Sequence, residues 1–273
     1  MPEKDKSLEY QLFLQKKKQK KQLIIFSQVF LLILFLGTWE ALAYLKILNT
    51  FLVSSPSAIY LLFIEYISDG SLFKHIAISV WETLLGFSIG TLLGIVIAII
   101  LWWSDTIAQV MDPFFVVLNA LPKTALAPIL IVWAGAGIQG IVVIAISISV
   151  VSTILSAYNY FTIVDKEKIK MLKSFGATKF QVLTKLILPA NTKNIINIVK
   201  INIGLSWVGV IVGEFLVSRY GIGYLIVYGG QVFRLDLVMM GVFVLAICAL
   251  LMYQVINIIE KLLTKKGNLS EPD

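Results

Sequence analysis

Few side chains in this chain have the type and spacing that catalysis requires. The only histidine is His75, so no histidine cluster or histidine-based triad can form. The aspartates fall in polar segments or at the edges of apolar runs, which excludes an aspartyl dyad within an apolar segment. The phosphate-loop pattern G-x-x-x-x-G-K-[ST] does not occur. The sequence therefore predicts a protein that is not an enzyme, with no metal site and no bound cofactor.

Two carboxylates lie in or near apolar runs, namely Glu40 beside Trp39, and Glu214. An acidic group at the centre of a bilayer costs about 3 kcal/mol on insertion scales, so each should face a partner or a cavity. For Glu40 we expect a structural partner near the end of its apolar run. For Glu214 two roles stay open, a structural pairing and a role as an outer gate or in the substrate pathway.

A run of polar residues recurs every three or four positions in another apolar segment, which places them on one helical face. Such a face must be directed towards protein or water rather than lipid. Its hydroxyls either line a pathway for a solute or bond the carbonyls four residues back in their own helix. The candidates for a pathway are Ser149, Ser152, Thr153 and Ser156, with Asn159 at the end of the row.

A basic segment between two apolar runs has the pattern of two short helices joined by a tight bend. Asp165 is placed to cap the first helix, and Gly176 stands where a left-handed residue ends it. Thr178 and Gln181 have the spacing of a capping box that starts the second helix, which should run to Leu188 before Pro189. We call residues 166–189 the elbow.

One side of the elbow is apolar, and we expect it to pack on the rest of the protein. Phe175 and Ala177 would then be exposed at the bend. An exposed aromatic on a protruding bend suits the groove of a partner, whereas an amphipathic helix on lipid headgroups is the alternative. The apolar side contains Ile169, Leu172, Gly176, Phe180, Leu183 and Ile187.

The elements around these residues are those of a membrane protein. Apolar residues make up 58% of the chain and charged residues 14%, whereas an ordinary soluble domain has about a quarter charged. A membrane-crossing helix needs about 20 apolar residues. Six segments approach that length, the third being interrupted by prolines: 23–44, 80–103, 115–134, 138–160, 194–217 and 237–259.

Lys and Arg placement predicts the orientation. Most of the 23 basic residues fall in the N-terminal tail, in residues 165–200 and in the C-terminal tail. If these three segments are cytosolic, the chain obeys the positive-inside rule, with both termini in the cytosol. The net charge of +7 then reflects topology and contact with anionic membrane lipid rather than nucleic acid.

Small residues predict close packing between the spans. Gly86, Gly90 and Gly94 recur at four-residue spacing, and Gly209 and Gly213 repeat it in a later span. Such rows let two helix backbones approach closely, either within the chain or between subunits. The single cysteine, Cys248, is expected to be a small apolar packing residue.

The elbow carries a family resemblance. Gly176, nine intervening residues, Leu186 and then Leu188-Pro189 resemble half of the "EAA" loop of bacterial ABC-importer permeases. In that family the loop docks on the ATP-hydrolysing subunit. Where the family has Glu-Ala-Ala, this chain has Lys170-Met171-Leu172, so the salt bridge of that Glu is not carried over.

Other stretches over about 54–258 are similar to the same family in the same order. Together they look most like the branch that imports nitrate, taurine, aliphatic sulfonates or thiamine precursors. The stretches are Ser55-Pro56-Ser57, Gly70-Ser71-Leu72, Leu121-Pro122, Ala127-Pro128, Trp133, Gly135, Gly204, Trp207, Glu214 and Gly221-Ile222-Gly223.

The resemblance implies an all-α fold of six transmembrane helices, the type I ABC importer fold of the methionine importer. It implies a pair of cytosolic ATPases, a second permease that we expect to be another copy, and an extracytoplasmic binding protein. The elbow residues that would contact the ATPase are Lys170, Met171, Leu172, Phe175, Gly176, Ala177, Leu186, Leu188 and Pro189. The protein would lie in the bacterial inner (plasma) membrane.

The expected division of the chain follows the spans. It has a basic cytosolic tail (1–22), a first helix with an outer segment (23–73), a transmembrane domain (74–258) and a cytosolic C-terminal tail (259–273). The main alternative function is an ion-coupled secondary transporter, which needs ionisable groups near mid-membrane and usually an internal repeat. A structural membrane scaffold is a third possibility, for which the polar face of the fourth span would be unnecessary.

Overall fold

The computed structural model describes residues 8–267 of the 273-residue chain, and its regular elements over that range are helices. The tails predicted for 1–22 and 259–273 lie partly outside the described residues. Two other turns interrupt the α-helices, a 3₁₀ turn (Lys123–Leu126) and a π turn (Leu183–Ile187). The α-helices are α1 (Leu8–Tyr44), α2 (Thr50–Val53), α3 (Pro56–Ser68), α4 (Ser71–Trp103), α5 (Asp105–Ala120), α6 (Ala127–Ala134), α7 (Ile138–Ile163), α8 (Lys166–Ser174), α9 (Lys179–Val182), α10 (Leu188–Ala190), α11 (Thr192–Val217), α12 (Ile222–Gln231) and α13 (Leu235–Gly267).

Five helices of the described residues are long and apolar enough to cross a membrane, namely α1, α4, α7, α11 and α13. The segments Asp105–Ala120 and Lys123–Ala134 pass the same test only as a pair, with an 87° bend between them. The described residues therefore hold up to six spans, in agreement with the six predicted. Two of the predicted boundaries need correction, because α4 begins at Ser71 and not near residue 80, and α1 begins well before residue 23.

The third predicted span is not a straight helix. Leu121 adopts an extended conformation (φ −65°, ψ 134°), which is the conformation that a following proline favours. Pro122 comes next and begins the break, whereas Pro113 lies inside α5 without ending it. A single span over 115–134 is therefore replaced by a helix, a break and a shorter helix.

The centre of the fold is α7, which packs between α4 and α11. A Cβ built on Gly86 of α4 would lie 2.5 Å from the Cβ of Ala145, and one built on Gly209 of α11 would lie 2.6 Å from the Ala145 Cα. Gly94 faces Thr153, and Gly213 faces Ile141, in the same way. Both glycine rows thus serve packing within the chain, which confirms one of the two predicted roles.

A second core joins α3, α12 and α13 to the start of α4. Leu72, Ile222, Leu237 and Met240 are fully buried in it, and Cys248 packs at its edge. The prediction that Cys248 is a small buried packing residue is confirmed.

Helix α1 lies at the margin of this bundle, with most of its apolar side chains exposed, as suits a helix surrounded by lipid. It is held near its end, where the Trp39 ring stacks on Phe243 at 6.3 Å between centroids. The Glu40 carboxylate accepts hydrogen bonds from the backbone N–H (3.0 Å) and the hydroxyl (2.8 Å) of Ser57. The structural partner expected for Glu40 is therefore the first turn of α3.

Candidate functional site: the elbow and the opposite end of the bundle

The first helix of the elbow, α8, begins where its cap was predicted. The Glu167 N–H donates to Asp165 Oδ1 at 2.8 Å, which satisfies one of the free donors at the start of the helix. Lys173 lies in its last turn, where positive charge favours the helix dipole. The underside of α8 consists of Ile169 and Leu172, both half-buried against the core.

The bend of the elbow depends on a left-handed glycine. Gly176 has φ +81°, and its N–H donates to Lys173 O at 2.9 Å. The Ala177 N–H donates to Leu172 O at 3.1 Å, so the last carbonyls of α8 are satisfied by the bend. Phe175 is 82% exposed at the tip and Met171 is exposed beside it.

The second helix starts with the predicted capping box. The Gln181 N–H donates to Thr178 Oγ1 at 3.3 Å, and the Thr178 N–H donates to Gln181 Oε1 at 2.8 Å. The helix then widens into the π turn, where the Leu188 N–H donates to Leu183 O, five residues back. This turn precedes Pro189, which lacks a donor and crowds the carbonyl four residues before it. The helix was predicted to end at Leu188, but it continues through the short α10 to Ala190.

The elbow is seated on the ends of α4 and α7. Val182, Leu183 and Ile187 are buried in one cluster with Ala98 of α4 and Phe161 of α7. A movement of the elbow must therefore displace these helix ends or open the cluster, because packed apolar side chains do not deform continuously.

Lys179 adds a polar link between the elbow and α4. Its Nζ donates to the carbonyl oxygen of Trp103, the last residue of α4, at 2.6 Å. The same ammonium lies 5.8 Å from the ring centroid of Trp102 and 5.7 Å from that of Trp103. A cation suits this position, since the end of a helix carries partial negative charge and aromatic faces attract cations.

Three expectations about burial in the elbow are wrong. Gly176 was placed on the apolar side, but it is exposed. Phe180 was expected on the apolar underside, but it is 63% exposed. The buried face centres on Val182 and Leu183, and the preceding turn then directs Lys179 and not Phe180 towards α4. Ala177 was expected at the exposed bend, but it is half-buried against the elbow's core cluster.

The remaining predicted contact residues of the elbow divide by exposure. Lys170, Met171 and Pro189 are exposed, whereas Leu172, Leu186 and Leu188 are half-buried. The exposed surface is therefore the tip around Phe175, and the half-buried leucines hold it in place.

The polar face of α7 is split between two environments. The Ser149 hydroxyl donates to Ala145 O at 3.0 Å, and the Thr153 hydroxyl donates to Ser149 O at 2.7 Å. Both are fully buried in the seams with the neighbouring helices. Ser152 and Ser156 are half-buried and lie on the other part of the face. A pathway role for the face thus remains a prediction that rests on Ser152 and Ser156.

Glu214 lies at the end of the bundle opposite the elbow, where it is 1% exposed. Its Oε1 accepts a hydrogen bond from the Ser79 hydroxyl at 2.5 Å, and its Oε2 accepts one from the Gly223 N–H at 2.6 Å. Gly221 has no room for a side chain beside this carboxylate, because an added Cβ would overlap it. The expectation that Glu214 has partners is confirmed, and they include a backbone segment between α11 and α12.

Sequence reasoning missed a second buried carboxylate, Glu82 of α4. It is 1% exposed, contacts the Glu214 carboxyl group, and its Oε2 makes no well-formed hydrogen bond. The predicted span began near residue 80, which placed Glu82 at an edge and hid its burial. The signal was available, since a carboxylate between Trp81 and Thr83 in an otherwise apolar run requires a partner.

His75 completes this end of the bundle. The Gly221 N–H donates to His75 Nδ1 at 2.9 Å, and the Ile222 N–H donates to Ser79 Oγ at 2.8 Å. Within the described residues no group of three or more His, Cys, Asp and Glu side chains is arranged to hold a metal ion. His75 Nδ1 also lies 3.0 Å from Gly221 O, to which it would donate in the other tautomer, so in either form His75 binds the Gly221 backbone.

These features define a class of protein: an all-α, multi-pass membrane protein with an amphipathic helical elbow at one end of its bundle. Residues 90–266, more than half of the chain, match the family described as binding-protein-dependent transport system inner membrane component. The chain belongs to this family. It is a permease subunit of the ABC importer type.

Curated relatives of known name cover most of the chain. SsuC of Bacillus subtilis, assigned to aliphatic sulfonates transport, is 28% identical over 85% of this chain and 84% of its own length. The taurine transport permease TauC of Escherichia coli is 25% identical over 84% of this chain and 85% of its own. The formylaminopyrimidine transport permease ThiX of Halalkalibacterium halodurans is 25% identical over 68% and 74%.

The fold has a counterpart among solved structures. A chain of the inward-facing MetNI methionine ABC transporter superposes with a TM-score of 0.59 at 15% identity. The match covers 72% of this chain and 95% of that one. The predicted type I importer fold is therefore confirmed.

Proposed function

We propose that this chain forms the translocation pathway for a small anionic or heterocyclic solute, such as a sulfonate, nitrate or a thiamine precursor. The named relatives transport sulfonates, taurine and a formylaminopyrimidine, which supports this solute class. Transport would require an extracytoplasmic binding protein to deliver the solute and a pair of ATPases to supply energy. The chain itself hydrolyses no ATP in this proposal.

One observation carries the proposal, namely the exposed tip of the elbow. Phe175 is 82% exposed on a bend whose flanking helices are both capped and whose base is buried. An exposed aromatic side chain on a well-packed bend has the properties of an interface residue that fills a pocket on a partner. We assign the ATPase to this tip, with Lys170, Met171 and Gly176 beside Phe175.

The proposed topology and assembly follow from that assignment. The elbow and both termini face the cytosol, and the end with Glu214 faces outward. Two copies of the chain flank a shared pathway, to which Ser152 and Ser156 of α7 contribute hydroxyls. Residues 74–258 form the transport domain, and the first helix with its outer segment (23–73) packs outside it. The tails at 1–22 and 259–273 contact the cytosol and anionic lipid.

The mechanism that this assembly allows is alternating access. ATP binding draws the two ATPases together, and the elbow transmits their movement through the cluster of Val182, Leu183 and Ile187 to the ends of α4 and α7. ATP and the loaded binding protein must each bind one conformation more tightly than the other, because otherwise neither shifts the equilibrium.

The experiment is co-purification of the cognate ATPase with the permease in detergent, combined with solute uptake. Phe175→Asp and Gly176→Pro should each release the ATPase and abolish uptake while the permease stays inserted. Phe73→Asp is the matched control, since Phe73 is also exposed (61%) but lies in the first turn of α4 at the opposite end. If both elbow variants retain the ATPase, the assignment of the tip is wrong.

A secondary transporter driven by an ion gradient is not favoured by the family assignment. The same uptake assay separates the two mechanisms. Uptake that continues without ATPase and collapses when the ion gradient is removed would contradict the proposal.

A further inference from the structure

The end of the bundle opposite the elbow contains a buried cluster that transport coupling does not use. Three backbone amides of consecutive residues are bound by side chains of the helices beneath them. We call these three bonds the clamp: Gly221 N–H to His75 Nδ1 (2.9 Å), Ile222 N–H to Ser79 Oγ (2.8 Å) and Gly223 N–H to Glu214 Oε2 (2.6 Å). The first two bonds fasten Gly221 and the start of α12 onto α4, and the third fastens the first turn of α12 onto α11.

Glu214 is the central acceptor of this cluster. Both of its oxygens accept hydrogen bonds, from Ser79 Oγ and from Gly223 N–H. The charged carboxylate is the stronger acceptor, so this geometry favours the ionised form of Glu214. A proton placed on either oxygen would have to compete with one of these donors.

Glu82 contacts this carboxylate from α4, and neither group has a salt bridge within the described residues. It is 1% exposed, and its Oε2 has no well-formed hydrogen bond. Two carboxylates in contact and out of water cannot both be charged, so one of them holds a proton. Because the clamp favours the ionised form of Glu214, the proton resides on Glu82. The Glu82 O–H can then donate to the Glu214 carboxylate.

A metal cation fits these groups poorly. The described residues include no group of three or more His, Cys, Asp and Glu side chains arranged to hold a metal ion. Proton exchange with water has a route, since Glu82 lines a cleft of about 420 Å³ between α4, α7 and the segment before α12. Ile138, Ile141 and Arg219 line the same cleft.

We propose that Glu82 and Glu214 form a proton-binding site, and that a single shared proton keeps the clamp closed. Loss of that proton places two negative charges in contact, pushes α4 and α11 apart at this end and frees the 221–223 amides. The other titratable groups near the pair are Lys74 and His75 on α4, Arg219, Tyr220 and Tyr224 on the segment leading into and along α12, and Asp69 before α4. The residues that α7 contributes to the cleft, Ile138 and Ile141, carry no charge.

The test is hydrogen–deuterium exchange of the 218–224 peptide in the assembled transporter, corrected for the intrinsic effect of pH on exchange. Between about pH 5 and about pH 9 the corrected rate in the wild type should rise by about tenfold, the equivalent of one lost hydrogen bond to a charged group. The peptide around Ser104, at the start of α5 and away from this cleft, is the internal control and should not change.

Three variants identify the group that titrates. Glu82→Gln supplies a permanent donor to Glu214 and should keep the peptide protected throughout the range. His75→Gln removes one bond of the clamp and should raise exchange at every pH, but the further rise with pH should remain if His75, the nearest rival, is not the group that titrates. Glu65→Gln, an exposed carboxylate of α3, should do the same.

Each outcome decides the proposal. It is overturned if the wild type shows no rise, if Glu82→Gln rises like the wild type, or if His75→Gln abolishes the rise. Should Glu82→Gln fail to assemble, the exchange rates of the wild type and of His75→Gln still support or overturn the proposal. The exchange measurement does not depend on solute uptake, so a failed coupling assignment at the elbow would leave this result unaffected.

Discussion

The Nζ atom of Lys179 lies 2.6 Å from the carbonyl oxygen of Trp103, which joins the second helix of the elbow to the last residue of α4. The ammonium also lies within 6 Å of both indole rings at this helix end. The elbow thus has two attachments to the bundle, one apolar through Val182, Leu183 and Ile187 and one polar through Lys179. The polar attachment can be removed without opening the buried cluster.

Lys179→Ala should weaken coupling while leaving the fold intact. The variant loses a charge-assisted hydrogen bond, and we expect uptake per ATP hydrolysed to fall by several-fold with the ATPase still bound. The measurement is the ratio of transported solute to released phosphate in proteoliposomes. Lys193→Ala is the control, since Lys193 is exposed on α11 outside the elbow. If the ratio of transported solute to released phosphate fell equally in both variants, the loss would come from removing a positive charge and not from breaking the bond between Lys179 and Trp103.

Gly176→Ala should destabilise the elbow, because Gly176 has φ +81° and a side chain in that conformation costs about 1 to 2 kcal/mol. The strain is conformational rather than steric, since no atom lies within 4 Å of an added Cβ. Limited proteolysis of the elbow should become faster. Gly37→Ala is the counterpart, because its helical Cβ also meets nothing, and it should have no effect or stabilise α1. Faster cleavage in both variants would contradict this explanation.

Local rules predicted most of the elbow. Asp165, Gly176 and the Thr178–Gln181 pair act through bonds within a few residues, so their spacing alone identifies them. The burial of Phe180 was predicted wrongly because its exposure depends on how α9 and the π turn pack against α4. A pattern within a few residues carries no information about that packing.

The carboxylates show the same limit at the other end. Glu214 was identified because a carboxylate within an apolar run needs a partner, but its contacts come from residues far away in sequence, among them Ser79. Glu82 was missed because the start of α4 was placed too late. An error of nine residues in this boundary, residue 80 instead of Ser71, thus concealed half of a buried pair.

Asn202→Asp should destabilise the seam between α4, α7 and α11. The Asn202 amide donates to Thr91 Oγ1 at 2.9 Å and to Thr153 Oγ1 at 2.6 Å, and it is 1% exposed. Aspartate has the same shape but no donor when ionised, so a bond survives only where a threonine hydroxyl turns to donate to it, and a charge is buried. A loss of about 3 kcal/mol or more in the free energy of unfolding is expected. Asn197→Asp, at an exposed position of α11, should change stability little when both are measured in mixed micelles.

Ala145→Gly should restore the stability that Gly86→Ala in α4 removes, but not the stability that Gly209→Ala in α11 removes. Gly86→Ala places its Cβ 2.5 Å from the Cβ of Ala145, so it should destabilise by about 1 to 3 kcal/mol, and adding Ala145→Gly removes the colliding atom. Gly209→Ala instead meets the Cα of Ala145 at 2.6 Å and its N at 3.2 Å, which are backbone atoms that Ala145→Gly leaves in place. Thermal unfolding in detergent should therefore show recovery in the first double variant and little in the second. Equal recovery in both would mean that the helices shift apart as units, and the close approach of α7 to both neighbours would not be fixed by these contacts.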